Sequence, residues 1–346
     1  MKLELRRQTM RLSEPLRTAY GEVGQRELAI VALTGEDGVT GYGEAAPLPA
    51  YEGPGMDAVW AALESYVEAM REAGEARGDH LLEACRTRAD VPSALAAIDL
   101  ALWDRAGRRA GRSVAALLSD RPAPSVAVNA ALGALDRAAA AEQASRAVED
   151  GFECLKLKVG SGDDAGRVAA VRAAAGPGVR LRLDANGAWD VAQAVRSIEA
   201  LEPAGLEFVE EPVHGLHAMR AVRERVAVRV SIDETASERG ALGGGIADAV
   251  CLKISRCGGI GALVAAAALV RASGAEVYLA STLDGPLGVA AALHAAAALA
   301  SRGPLPHCGL ATLALFEGIE NPLPARGGAI DVPSGPGLGV EPVGLI

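Results

Sequence analysis

No apolar run of about 18 residues in this chain is free of charge or glycine, and the stretch from Gly261 to Val270 is too short to span a bilayer. A membrane partner is therefore not expected. The N-terminus, MKLELRRQTM, lacks a hydrophobic signal core, so export is not expected either. A basic excess is also missing. The net charge is −10, which disfavours a nucleic-acid partner. It does not argue against a small anionic substrate, because a local metal ion and lysines can make a positive pocket in an acidic protein. Cysteines are few, odd in number and never paired as CxxC: Cys85, Cys154, Cys251, Cys257 and Cys308. They read as buried, reduced thiols of a cytoplasmic protein. Aromatics make up only 3% of the residues, and alanine supplies much of the helix-forming content.

What is present suffices for a large core, since half of the 346 residues are hydrophobic. Residues 1–120 read as an α+β unit. Leu3 to Thr9 and Glu27 to Thr34 predict strands, followed by a turn and a short strand ending near Gly43. Met56 to Ala73 and Pro92 to Leu118 predict helices, with Pro92 at a first helical position. From about Ser125 strands and helices alternate. Strands are predicted near Val126–Ala130, Cys154–Val159, Arg180–Ala185, Leu206–Glu210, Val228–Asp233, Ala249–Ile254, Glu276–Ser281 and, more weakly, Pro306–Gly309. Helices are predicted at Arg137–Glu149 and Asp190–Leu201. About eight alternating units imply a closed parallel barrel over 121–311. The turn-rich segment 312–346 is expected to pack back on the first unit.

Charged residues recur at the ends of successive strands. Lys158 to Asp184 is 26 residues, then 26 to Glu210, 23 to Asp233 and 20 to Lys253. A strand with its returning helix takes about 25–30 residues, and the C-terminal ends of barrel strands are where catalytic groups sit. Strand alternation puts Lys156 and Lys158 on the face opposite Leu155, Leu157 and Val159, and Asp184 opposite Leu183. These charges then point into the barrel, where a lone charge is untenable unless paired. Three carboxylates with no histidine or cysteine at matching positions suit a hard divalent cation such as Mg²⁺. A cation there can hold a substrate carboxylate and stabilise the enediolate left by loss of the α-proton. A lysine base must be neutral, and burial beside a second cation, Lys156 next to Lys158, lowers its pKa.

The set KxK, DxN, EEP, DE and K followed by GG resembles the enolase superfamily, specifically its muconate lactonizing enzyme subgroup. Gly41-Tyr-Gly-Glu-Ala-Ala-Pro-Leu-Pro resembles that family's capping-domain loop. Pro92-Ser-Ala-Leu-Ala-Ala-Ile-Asp-Leu-Ala-Leu-Trp-Asp resembles a capping-domain helix, and Gly335-Pro-Gly-Leu-Gly-Val its C-terminal signature. The resemblance implies a (β/α)₇β barrel of the TIM type under an α+β capping domain. It implies Mg²⁺, with Mn²⁺ an admissible substitute, on Asp184, Glu210 and Asp233. Lys158 and Lys253 would be the acid/base pair, and Lys156 would assist Lys158. Asn186 and Glu234 would support the ligands, and Asp284 stands where many relatives have glutamate. It also implies a homo-oligomer acting on a small carboxylate.

Members of the subgroup share α-proton abstraction and then diverge to dehydration, 1,1-proton transfer or cycloisomerisation. Dipeptide epimerases commonly carry an Asp-x-Asp after the last strand. Here His307-Cys-Gly-Leu-Ala-Thr-Leu-Ala-Leu-Phe has no acid before Glu317. That segment and GYGEAAPLPAYEG are similar to o-succinylbenzoate synthases, a lyase branch tied to menaquinone synthesis. The reaction expected is therefore syn dehydration, with Lys158 removing the proton and Lys253 holding the flat intermediate by a cation–π contact. An epimerase or racemase of dipeptides or N-acylated amino acids, and a muconate-type cycloisomerase, remain alternatives. Arg17, Tyr20, Ser281 and His307 are candidate substrate contacts. His214, His217 and His294 read as structural or surface residues, and Trp189 as packing.

Overall fold

The computed structural model describes the chain apart from residues 19–20, 50–52, 75, 134–135, 343 and 345–346 and the side chains of residues 17–18. Near the N-terminus β1 (Lys2–Thr18) and β2 (Gly21–Thr34) pair antiparallel, and β3 (Thr40–Ala45) adds to β2. Both long strands run further than the apolar pattern predicted. The register shifts between Arg11 and Leu16, beyond which the strand continues on hydrogen bonds with few buried side chains. In β2, Ala29, Val31 and Leu33 face one small core and Leu28 and Ile30 the larger one. A strand buried on both faces reads as a continuous apolar run, as ELAIVAL does.

Four helices follow: α1 (Met56–Ala73), α2 (Gly78–Arg88), α3 (Pro92–Ala110) and α4 (Val114–Leu118). On α1, Val59, Leu63, Tyr66 and Met70 form one buried stripe. The single helix predicted over 92–118 is two. Gly111 takes a left-handed φ of 63°, which ends α3, and Ser113 caps α4 by accepting from the Ala116 amide. α3 lies directly on β3. A Cβ at Gly41 would come within 2.2 Å of the Ala101 carbonyl, and one at Gly43 within 2.0 Å of the Ala97 carbonyl. The Gly-Tyr-Gly sequence thus permits helix–sheet contact that any side chain would block.

The second half holds β4 (Ser125–Ala127), then seven parallel strands paired in sequence order. These are β5 (Ala130–Leu132), β6 (Cys154–Lys158), β7 (Arg180–Asp184), β8 (Leu206–Glu210), β9 (Val230–Ile232), β10 (Ala249–Leu252) and β11 (Glu276–Leu279). The intervening helices are α5 (Arg137–Glu149), α6 (Asp164–Ala175), α7 (Val191–Leu201), α8 (Leu216–Arg223), α9 (Ile254–Cys257), α10 (Ile260–Ala272) and α11 (Pro286–Ala300). α7 starts on a capping box between Asp190 and Gln193. The strand predicted at Val126–Ala130 splits into β4 and β5. The eighth, near Pro306–Gly309, closes the barrel through isolated bridges. Cys308 bridges Val128 and Gly309 bridges Ala280, with Gly309 donating to the Leu279 carbonyl at 2.8 Å.

The C-terminal segment touches both halves. β12 (Phe316–Glu317) adds to β1, and β13 (Ala329–Asp331) pairs with β4. The Leu338 amide donates to Asp104 on α3 at 2.7 Å. His294 on α11 accepts from the Ala115 amide at 3.2 Å and meets the Leu338 carbonyl at 3.1 Å. Burial holds this imidazole down to about 4, so it is neutral. Among the described residues, no helix is long and apolar enough to cross a membrane.

Candidate active site

Parallel register aligns Lys158, Asp184 and Glu210 as neighbours at the ends of β6, β7 and β8. Lys156 lies one pleat lower, its Nζ 2.9 Å from Asp184 Oδ2 and 2.8 Å from Glu210 Oε1. Lys158 Nζ is 3.5 Å from Asp184 Oδ2 and donates to Asn186 Oδ1. Asn186 in turn donates to Glu234 Oε1 at 3.2 Å. Across the barrel mouth, Lys253 directly follows β10 and stands 2.8 Å from Asp233 Oδ2. Arg256, one helical turn on, reaches Asp233 Oδ1 at 2.8 Å. The structure thus brings together Lys156, Lys158, Lys253, Asp184, Glu210, Asp233, Asn186 and Glu234.

The loops that carry these groups are held under strain. Asn186 and Glu211, just past β7 and β8, adopt φ of 44° and 40°. Such backbone costs about 1–3 kcal/mol per residue and persists only where its surroundings enforce it. For Glu211 the enforcement is visible. Its buried carboxylate accepts from the Asp233 amide at 2.8 Å, the Thr235 amide at 3.0 Å and the Thr235 hydroxyl, and meets His214 Nδ1 at 3.0 Å. It ties the loop after β8 to the loop after β9, which fixes Asp233.

Electrostatics follow from burial and pairing. Burial works against the charge on Asp184, but Lys156 and Lys158 hold its carboxyl below the usual range. Burial likewise opposes ionisation of Asp233, and Arg256, Lys253 and Lys156 overcome it. Glu210 is pushed up by burial, against Lys156 and with Asp184 and Asp233 adding to the push. Glu234 rises to about 7 through burial and the Asp233 charge. Lys156 and Lys253 are both raised. Burial pulls Lys156 down, but Asp184, Glu210 and Asp233 more than reverse it. For Lys253, burial and Arg256 pull down and Asp233 prevails. The groups nearest the Lys156 and Lys253 ammoniums are carboxylates, and they keep these two charged.

The donor set fits a hard divalent cation. Asp184, Glu210 and Asp233 are 2%, 0% and 4% exposed, and Glu210 Oε2 is buried with no hydrogen-bond partner among the described residues. A buried carboxylate oxygen without a partner is costly and calls for a cation. The Lys156 ammonium bridges Asp184 and Glu210. Among the described residues, the ligating atoms that do lie within 4.8 Å of one another are those of Glu210, Asp233 and Cys251, and separately those of Glu211, His214 and Glu234.

Other expected residues fall elsewhere. Tyr20 and the Arg17 side chain lie outside the described residues. Ser281 sits at the barrel mouth, accepting from the Asp284 amide at 2.8 Å and from the Thr312 hydroxyl at 3.2 Å. Asp284 is buried at the seam with the N-terminal unit, close enough to Glu44 to raise that carboxyl. His307 is not at the mouth. Its carbonyl accepts from Arg182 at 2.6 Å, and burial, then Arg182 and Arg180, lower its imidazole pKa. Arg182 is fully buried, 2.6 Å from Glu207 and over the Phe208 ring, so this cluster fills the opposite end of the barrel. The sequence reading missed Arg256, Glu211 and Cys251 as parts of the site. For Arg256 the available signal was its place one helical turn after Lys253.

A parallel barrel with acids and lysines at its strand ends, under an antiparallel sheet with helices, defines a recognisable class. Residues 139–344 match the family described as enolase C-terminal domain-like, and residues 2–119 match the mandelate racemase/muconate lactonizing enzyme N-terminal domain. The chain belongs to the enolase superfamily, in its mandelate racemase/muconate lactonizing enzyme family. It is 32% identical to muconate cycloisomerase 1 of Rhodococcus opacus, over 95% of this chain and 92% of that one. It is 38% identical to the o-succinylbenzoate synthase of Thermobifida fusca over 210 residues, 57% of this chain and 63% of that one. Its structure is similar to the dipeptide epimerase from Enterococcus faecalis V583 complexed with Mg and the dipeptide L-Leu-L-Tyr. The TM-score is 0.87 at 28% identity, over 98% of both chains. The relatives are lyases and isomerases, and this chain is an enzyme of that kind.

Proposed function

We propose that this enzyme removes the α-proton of a small carboxylate substrate, with Asp184, Glu210 and Asp233 holding Mg²⁺ and Lys158 and Lys253 acting from opposite sides. The observation that carries this reading is the placement of the two amines on facing strands, β6 and the end of β10, with the acids between them. When bound, the cation supplies stabilisation of the negative charge that develops on the substrate carboxylate. Lys156 holds Asp184 and Glu210 in register. Asn186, itself held by Glu234, positions the Lys158 amine, and Arg256 and Lys253 hold Asp233. Lys158 exchanges the proton at the α-carbon.

Among the reactions open to such a site, we favour syn dehydration to o-succinylbenzoate. Lys158 takes the α-proton and returns it to the departing hydroxyl on the same face. Lys253, buried against Asp233, remains a fixed cation beside the flat product. Support comes from the barrel mouth, where residues 308–313 offer buried Leu310 and Leu313 and the Thr312 hydroxyl but no acid for a substrate ammonium. The 38% identity to an o-succinylbenzoate synthase adds to it. A second reading, 1,1-proton transfer on a dipeptide or an N-acylated amino acid, is favoured by the full-length similarity to a dipeptide epimerase.

Incubation with Mg²⁺ in heavy water separates them. Under dehydration, Lys158→Ala abolishes both turnover of the cyclohexadiene precursor and deuterium exchange. A flat absorbance trace with the precursor, together with racemisation of N-succinylamino acids or dipeptides, selects the second reading. Folded wild-type enzyme whose melting temperature is unmoved by Mg²⁺, and which exchanges no α-proton in either substrate class, overturns both.

A further inference from the structure

We propose that the floor of this site has a second mode of metal capture, in which Cys251 joins Glu210 and Asp233 to bind a soft divalent cation such as Cd²⁺ or Zn²⁺. The inference rests on the reading that Glu210 and Asp233 face a cation, and extends it to a different class of metal. Cys251 lies two residues before Lys253, so strand alternation turns both side chains inward. The thiol is 1% exposed, and its sulfur and the oxygens of Glu210 and Asp233 all lie within 4.8 Å of one another. Glu210 Oε2, fully buried, has no hydrogen-bond partner among the described residues.

The geometry suits a four-coordinate ion. With metal–sulfur distances of about 2.3 Å and metal–oxygen distances of about 2.0–2.2 Å, ligand atoms stand about 3.5 Å apart. Side-chain shifts of about an ångström bring these three to that spacing and leave the fourth position for water. Lys156 occupies Glu210 Oε1 and leaves Oε2 for the ion, whereas Asp233 carries Lys253 on Oδ2 and Arg256 on Oδ1, so the ion gains its Asp233 oxygen by displacing one of these two cations. On binding, the sulfur–metal bond forms and the thiol proton leaves to solvent. A thiolate selects soft cations over Mg²⁺. Asp184, held off by Lys156, takes no part. The bound soft ion engages two of the three acids assigned to Mg²⁺, so the two modes exclude each other.

Cd²⁺ added alone to the full-length protein is the test, read by the ultraviolet thiolate-to-cadmium charge-transfer band. Mn²⁺ binding, followed by the loss of the free-ion paramagnetic resonance signal, reports the oxygen site separately. The expected result is a band saturating at one equivalent in the wild type, competed by Zn²⁺. In Cys251→Ser the band is lost and Cd²⁺ binding is weakened at least about tenfold, the scale set by removing even an outer partner of a ligand. Mn²⁺ still binds this variant, which also shows that it is folded, and Cd²⁺ blocks Mn²⁺ in the wild type. A band that survives Cys251→Ser, or no band in a protein that binds Mn²⁺, overturns the proposal. A Cys251-dependent band in a protein that binds no Mn²⁺ leaves the thiolate site standing and sinks the Mg²⁺ reading instead.

Discussion

Replacing Glu44 with glutamine should change how stability depends on pH, in a direction that can be worked out from its surroundings. Glu44 ends β3 and is buried against the first turn of α11, where the Leu287 amide donates to its Oε2 at 3.2 Å. Burial, and next the Asp284 carboxylate, raise its pKa from 4.5 to about 8, against the helix amides that favour the ionised form. In the unfolded chain the group titrates near its ordinary value. Below about pH 4.5 both states are protonated and the residue costs nothing. Between 4.5 and about 8 only the unfolded state loses its proton, so stability falls as pH rises, by about 1.4 kcal/mol per pH unit. Over three and a half pH units the ceiling is on the order of 5 kcal/mol. Glutamine copies the protonated carboxyl and cannot ionise. Urea unfolding of wild type and Glu44→Gln, run from about pH 4 to 9, should give free energies that are nearest each other at the acid end. They should diverge in favour of the variant until about pH 8 and then run parallel. Curves parallel throughout would refute the argument, because they would mean that Glu44 is ionised in the folded enzyme at all of these pH values.

Gly43→Ala should destabilise the fold by about 1–3 kcal/mol, because its Cβ would overlap the Ala97 carbonyl and push α3 off β3. Gly24→Ala, where nothing among the described residues lies within 4 Å, should leave the melting temperature unchanged. Arg182→Met should cost about 3–5 kcal/mol by leaving the Glu207 carboxylate without its buried partner. Adding Glu207→Gln should recover part of that loss in urea unfolding, whereas simple additivity would show that the pair is not coupled.

The barrel was legible because parallel strands impose two independent periods, alternation within a strand and one unit between strands. Lys156, Lys158, Asp184 and Glu210 obey both, and a charge pointing into a barrel must have company. The capping sheet was legible for a similar reason in its apolar runs. What escaped had weaker local signals. α2 buries only Leu81 and Cys85 among charged residues, so its pattern is faint. The break at Gly111 looked like one glycine in a long apolar pattern. His307 was placed by its nearness in sequence to the last barrel loop, but the closing segment runs through the barrel and puts it beside Arg182. Arg256 and Glu211 act by clamping Asp233, a role set by contacts between strand ends that no spacing within one segment reveals.

The return of the C-terminal segment has a mechanical consequence. β12 is fastened to the lid, β13 to the barrel rim, and Leu338 to both Asp104 and His294. The last stretch of chain therefore works as a rivet through two plates. Tipping the lid away as a rigid body would shear these fastenings together, so admission of substrate must come from movement of loops at the mouth while the plates stay clamped.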